Sequence, residues 1–170
     1  RVVSMKFNKE IHVEGKLISS MSPTFVIAEA GVNHGGDMLI AKKLIDLAVE
    51  AKADAVKFQT FKAEHLILSN IQKAPYQKNT TDANETQFNM LKKLEVSKDQ
   101  NIELKQYCIK KDIIFLTTPF DEESLKEINE LDLPAYKVAS TDTTNLPFLK
   151  KIAKRGKPIF LSTGMSYLSE

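Results

Sequence analysis

Gly31-Val32-Asn33-His34-Gly35-Gly36 follows an apolar segment, Phe25 to Ala30, and precedes a helical pattern that Asp37 can cap. The turn is glycine-rich, yet it has neither the G-x-G-x-x-G order that cradles a dinucleotide nor the G-K-[ST] of a nucleotide phosphate loop. That decides between the two architectures open to a chain of repeated βα units. A doubly wound nucleotide-binding sheet loses its signature, and a closed (β/α)8 TIM barrel is favoured.

Working outward, four further segments share the composition of the first: Ala55 to Thr60, Ile113 to Thr118, Ala135 to Ser140 and Pro158 to Thr163. Each is apolar almost throughout, as buried parallel strands are. Between them lie helical patterns. After Asp37 the apolar face is expected to be Ile40, Leu44, Leu47, Ala48 and Ala51. Ser97 with Gln100 forms a capping box ahead of Leu104 and Cys108. Leu125, Ile128 and Leu131 mark a helix that ends before Pro134, and another starts near Asn145, with Pro147 in its first turn, and stops at Gly156.

Two features break the rhythm. Met5 to Ile18 reads as a β-hairpin around Glu14-Gly15, suited to plug the bottom of a barrel. The connection after Thr60 is long and carries a polar stretch, Pro75 to Glu85, before a short helical pattern with Phe88, Leu91 and Leu94. Such an insertion in an α/β enzyme is often an active-site loop. The expected organisation is a hairpin over residues 1–24 and, over 25–170, a partial barrel with about the first five of eight βα units. A five-strand sheet would leave a long apolar edge, so the chain is expected to continue beyond residue 170.

With 170 residues, 42% apolar and 27% charged, the chain can bury a sizeable core. A formal charge of +2 gives no field suited to nucleic acid. No apolar run reaches the roughly 20 residues of a membrane span. One cysteine, Cys108, forms no internal disulfide. A cytoplasmic location is the simplest expectation.

A barrel carries its chemistry at the C-terminal strand ends. The polar residues there are Glu29, then Lys57 and Gln59, then Thr117 and Thr118, then Lys137, Ser140 and Asp142, and last Ser162 and Thr163. Lys57 and Lys137 lie in segments that otherwise belong to a core, where an ammonium needs an anion. Either a bound ligand with a phosphate and a carboxylate supplies it, or an internal carboxylate such as Glu29 does. Glu29 can orient a sugar group or move a proton, or serve in a structural ion pair. His34 can ligate a metal, though a loop-ordering hydrogen-bond donor is the simpler reading. Asp121 can cap the next helix, and the stretch from Asn79 to Asn84 can line a sugar site or be a solvated loop.

Five stretches in this order resemble the sialic acid (nonulosonate) synthase family. They are Ala28-Glu29-Ala30-Gly31-Val32-Asn33-His34-Gly35-Gly36, Val56-Lys57-Phe58-Gln59-Thr60, Thr118-Pro119-Phe120, Pro134-Ala135-Tyr136-Lys137-Val138-Ala139-Ser140 and Gly156-Lys157-Pro158-Ile159-Phe160-Leu161-Ser162-Thr163-Gly164-Met165. The resemblance implies condensation of phosphoenolpyruvate with an N-acylated amino sugar to a nine-carbon nonulosonic acid and phosphate, in bacterial-type surface polysaccharide biosynthesis. It implies a phosphoenolpyruvate site of Lys57, Thr118, Lys137, Ser140 and Ser162, and a sugar site drawing on Gln59 and the catalytic carboxylates Glu29 and Asp142, to which the loop residue Asn79 is a further candidate. It also implies a divalent metal, Mn2+ or Mg2+, with ligands on later strands, and a homodimer whose C-terminal antifreeze-like domain caps the partner's site. These 170 residues alone are therefore expected to bind little metal and to turn over no substrate.

The sequence departs from the family at Thr141-Asp142, where N-acetylneuraminate synthases have glycine then glutamate. A shorter carboxylate suggests an acceptor other than N-acetylmannosamine. The insertion, Pro75-Tyr76-Gln77-Lys78-Asn79-Thr80 leading into Met90-Leu91-Lys92-Lys93-Leu94-Glu95, resembles the legionaminic-acid branch, whose acceptor is a 2,4-diacetamido-trideoxy hexose. The competing readings are another phosphoenolpyruvate or pyruvate barrel, such as a Schiff-base aldolase, and a non-catalytic sugar- or anion-binding relative.

Overall fold

A computed structural model describes residues 8–67, 86–167 and 169. The hairpin forms as expected: β1 (Glu10–Val13) pairs antiparallel with β2 (Lys16–Ser19), Val13 opposite Lys16. Glu14 and Gly15 both have positive φ, 49° and 80°, the mirror-image turn whose twist matches paired strands. Val13 is fully buried against Ala55, Ile114, Leu116 and Ala135, with Ile18, Phe25, Ile27 and Phe160 packed around them. The hairpin thus covers the N-terminal ends of the strands that follow.

Those strands are parallel. β3 (Ile27–Gly31), β4 (Ala55–Thr60) and β5 (Ile114–Pro119) form one sheet in that order, and β6 (Tyr136–Val138) pairs with β7 (Ile159–Leu161) in a second. β6 packs beside β5 without a hydrogen-bonded ladder. Both strands of the second pair are shorter than their apolar runs. The run before β6 opens on Pro134-Ala135 and the one at β7 on Pro158, which has no N–H to give a ladder.

The helices are α1 (Met38–Glu50), α2 (Ala63–Leu66), α3 (Gln87–Leu94), α4 (Lys98–Lys110), α5 (Glu122–Glu130) and α6 (Leu146–Ala153); α1, α4 and α5 cover one face of the β3–β5 sheet, and α2 packs on α3. Their caps are those expected. The Asp37 carboxylate accepts from the N–H groups of Leu39 and Ile40, Ser97 and Gln100 close a full capping box, and Asp121 and Asn145 cap α5 and α6.

The buried stripe of α1 agrees in part with the expected one: Ala48 is buried and Leu44 packs against the core. Ala41 and Ile45 are buried as well, while Ile40 and Leu47 are 42% and 57% exposed. Both stripes are apolar at helical spacing, and the one with two alanines lets the helix approach the sheet closely. Leu104 and Cys108 are buried as expected, along with Leu125, Ile128, Phe148 and Ile152 from the later helices. Burial pushes the Cys108 thiol up to about 12. Among the described residues no helix is long and apolar enough to cross a membrane.

Candidate active site

Alternation along each strand sorts its side chains between the helix-covered face and the opposite one. Glu29, Lys57 and Gln59, and Thr118 share the face away from the helices, at the C-terminal half of β3, β4 and β5. A bulge between Glu29 and Gly31 turns the end of β3. Gly31 has φ +54°, and a Cβ there would stand 3.2 Å from Glu29 Oε1 and 3.5 Å from Gln59 Nε2. Glycine therefore lets the acid and the amide draw together across two strands.

Lys57 is buried, and its Nζ lies 2.7 Å from Glu29 Oε2 and 2.8 Å from Oε1. The internal-carboxylate reading thus holds for this lysine. Nζ also donates to Thr118 Oγ1 at 3.3 Å. Lys137 behaves differently: its ammonium donates to Ser162 Oγ at 2.5 Å and to the Val138 carbonyl at 2.9 Å, both neutral. Burial pushes the Lys137 ammonium below its ordinary value, the charge of Lys57 pushes it the same way, and Glu29 opposes both. Two ammonium groups thus lie near one carboxylate that pairs with Lys57 alone, and this leaves a positive centre suited to an anion.

The other expected residues are placed unevenly. Ser140 opens a short 3-10 turn, Ser140–Asp142, and its carbonyl accepts from Thr143 Oγ1 at 2.9 Å. Asp142 is nearly buried, and its Oδ1 accepts from the amide of Asn145, the cap of α6, at 3.0 Å. Thr163 is exposed beyond β7. Thr117 points to the helix side, where its hydroxyl lies 2.8 Å from that of Thr60. Asn79 and the rest of its polar stretch lie outside the described residues.

His34 orders its loop as an acceptor, not as the donor expected. The Gly36 N–H donates to Nδ1 at 2.9 Å, so the ring proton sits on Nε2, a buried atom with no hydrogen-bond partner among the described residues. The ring is 1% exposed and packs on Phe58, and burial pushes its pKa below the ordinary value. The folded state therefore disfavours a second proton that the unfolded chain accepts below about pH 6.5. Stability from this group is complete above that pH and declines as pH falls through it, by up to about 1.4 kcal/mol per pH unit. In His34→Asn, which keeps an acceptor for Gly36, urea unfolding at a series of pH values should show a flatter decline. Equal slopes in both proteins would count against this reading.

Asp121 also does more than cap a helix. Its carboxylate accepts from the N–H and hydroxyl of Ser124 and from the Lys62 N–H, and lies 3.3 Å from His65 Nδ1. Burial raises its pKa, but these bonds together hold it below the usual carboxylate range. Even so, no three His, Cys, Asp or Glu side chains converge as metal ligands among the described residues. A cavity of 210 Å3 lined by Glu14, Lys16, Asp54 and Lys105 lies under the hairpin, at the opposite end of the strands from Lys57 and Lys137.

Residues 44–170, three-quarters of the chain, match the sequence model of the NeuB family. The chain belongs to the NeuB family. It is 52% identical over 150 residues to N,N'-diacetyllegionaminic acid synthase of Campylobacter jejuni, covering 88% of this chain and 45% of that protein. Identity to the synthase of the same name from Legionella pneumophila is 45%, over 89% of this chain and 42% of the relative. In structure it resembles the N-acetylneuraminic acid synthetase of Leptospira borgpetersenii solved with citrate, with a TM-score of 0.79 and 35% identity over 94% of this chain and 51% of that one. This NeuB-family chain thus spans less than half the length of these two curated relatives. Sequence reasoning singled out its strand-end lysines but missed Asn101, which is buried in the first turn of α4. The available signal was a polar residue four after the Ser97 cap, at a position that faces the sheet.

Proposed function

We propose that the complete protein carrying these strand ends condenses phosphoenolpyruvate with an N-acylated amino sugar, giving a nonulosonic acid and phosphate. The observation that carries this reading is Lys137, a half-buried ammonium whose hydrogen-bond partners among the described residues are neutral, near a buried Lys57 that pairs with Glu29. In this reading Lys137 and Ser162 hold one charged group of phosphoenolpyruvate, and Lys57 and Thr118 hold the other. Glu29 and Gln59, side by side at Gly31, orient the sugar. The methylene carbon of phosphoenolpyruvate bonds to the aldehyde carbon of the open-chain sugar, whose oxygen takes up a proton. Water adds at the adjacent carbon, and the bond from that carbon to the phosphate oxygen breaks.

The described strands are, on this proposal, the first five of a (β/α)8 barrel whose N-terminal mouth the hairpin closes. The likeness to the Leptospira structure supports it. The Mn2+ or Mg2+ that the family resemblance implies would draw its ligands from other residues. We read the acceptor as a 2,4-diacetamido-trideoxy hexose, supported by the Campylobacter and Legionella relatives and by an Asp142 that is short and tied to Asn145.

Phosphate release by the complete protein, supplied in turn with N-acetylmannosamine and the diacetamido sugar, tests this. Release should require a sugar and should be faster with the second; release indifferent to sugar would overturn it. One observation favours a second reading: a lysine held below its ordinary pKa is also what a Schiff-base aldolase needs. Borohydride trapping of a pyruvate adduct on Lys137 would move the assignment there.

A further inference from the structure

Thr60 and Thr117 are fully buried and Asn101 is 1% exposed, all in the apolar layer between the sheet and α4. An apolar trio of similar shape would hold that layer about as well, so three polar groups there need a reason. They form a chain of hydrogen bonds. The Asn101 side-chain amide and the Thr60 hydroxyl are joined both ways, Nδ2 to Oγ1 at 3.2 Å and Oγ1 to Oδ1 at 3.4 Å, and the Thr60 and Thr117 hydroxyls meet at 2.8 Å. Phe120 N–H continues the tie, donating to the Thr60 carbonyl at 3.2 Å.

The placement of this chain is informative. Thr60 and Thr117 are each one residue from Gln59 and Thr118, which are register partners on the opposite face. Thr118 is the hydroxyl that Lys57 reaches. Asn101 stands in the first turn of α4, whose start the Ser97 capping box fixes. Hydrogen bonds are directional where apolar contacts are not, so this chain sets the spacing and twist of two strand ends from behind.

We propose that Asn101, Thr60 and Thr117 are positioning residues, a buried brace that holds the ends of β4 and β5 so that the Thr118 hydroxyl and the Gln59 amide meet the anion and the sugar. The inference rests on the phosphoenolpyruvate reading above, and the test separates the two.

In the complete protein, Thr117→Val should raise KM for phosphoenolpyruvate about tenfold, as a slightly misplaced group does. Amide exchange at Phe120 should speed up in parallel. Thr117→Ser, which keeps the hydroxyl, should restore both to within about twofold of the parent. A Val variant with a lower melting temperature but unchanged KM and unchanged Phe120 exchange would reduce the trio to ordinary core and overturn the proposal. If Thr117→Val does not fold, Thr60→Val/Asn101→Leu/Thr117→Val leaves no orphaned donor and is read the same way. If the parent itself releases no phosphate, the phosphoenolpyruvate reading fails, and Phe120 exchange still decides the brace.

Discussion

Lys137→Met in the complete protein should lower kcat/KM for phosphoenolpyruvate by about a thousandfold, the scale of removing a charged group aimed at a reacting anion. Stability should move the other way or not at all. Among the described residues the ammonium has Ser162 and a backbone carbonyl as partners, and burial already pushes its pKa down, so the folded state bears the cost of holding it charged. Methionine fills much the same volume without that cost. Steady-state kinetics and a thermal melt on the same preparation check both halves. A variant that unfolds at markedly lower temperature and keeps its kcat/KM would make Lys137 a structural residue.

Gly36→Ala should be the most damaging small substitution in the chain. Gly36 has φ +86°, and a Cβ there would stand 2.3 Å from the Lys93 carbonyl oxygen, near the end of α3. Backbone cannot move aside as a flexible side chain can, so both the loop and α3 must shift. The expected loss is roughly 2–4 kcal/mol, combining left-handed strain with a steric clash. Gly35 provides the control. Its φ is +60°, but a Cβ there meets nothing within 4 Å, so Gly35→Ala should cost only about 1 kcal/mol. Urea unfolding of the two variants measures the difference; equal losses would mean that the Lys93 contact carries no weight.

The contrast between these glycines shows where sequence reading succeeds and where it stops. The turn from Gly31 to Gly36 was legible as a strand-to-helix connection without a nucleotide signature, but which glycine meets a distant backbone depends on α3, more than fifty residues away. Strand positions were readable because buried parallel strands are apolar throughout, and helix starts because Asp37, Ser97, Asp121 and Asn145 are strong caps. The α1 stripe was read correctly at Leu44 and Ala48 but not at Ile40 and Leu47, because apolar residues extend round that helix and the partner surface chooses among them.

The same limit applies at the site. Lys57 and Lys137 stood out as charges in core segments, yet nothing local shows that Glu29 pairs with Lys57 and not with Lys137. That choice follows from the register in which Glu29 lies opposite Lys57. Thr117 and Thr118 look alike in sequence, and strand alternation sends Thr117 to the helix side beside Thr60 and Thr118 to the opposite face beside Lys57. Asp142 was expected beside the sugar, and the structure ties it to the start of α6 through Asn145.

The most direct test is the mass of the product formed when the complete protein is given phosphoenolpyruvate labelled with 13C at its methylene carbon together with the diacetamido sugar. The product should be one acid containing the sugar carbons plus three more, with the label in the new carbon–carbon bond and one phosphate released for each. Labelled pyruvate beside unchanged sugar would contradict it.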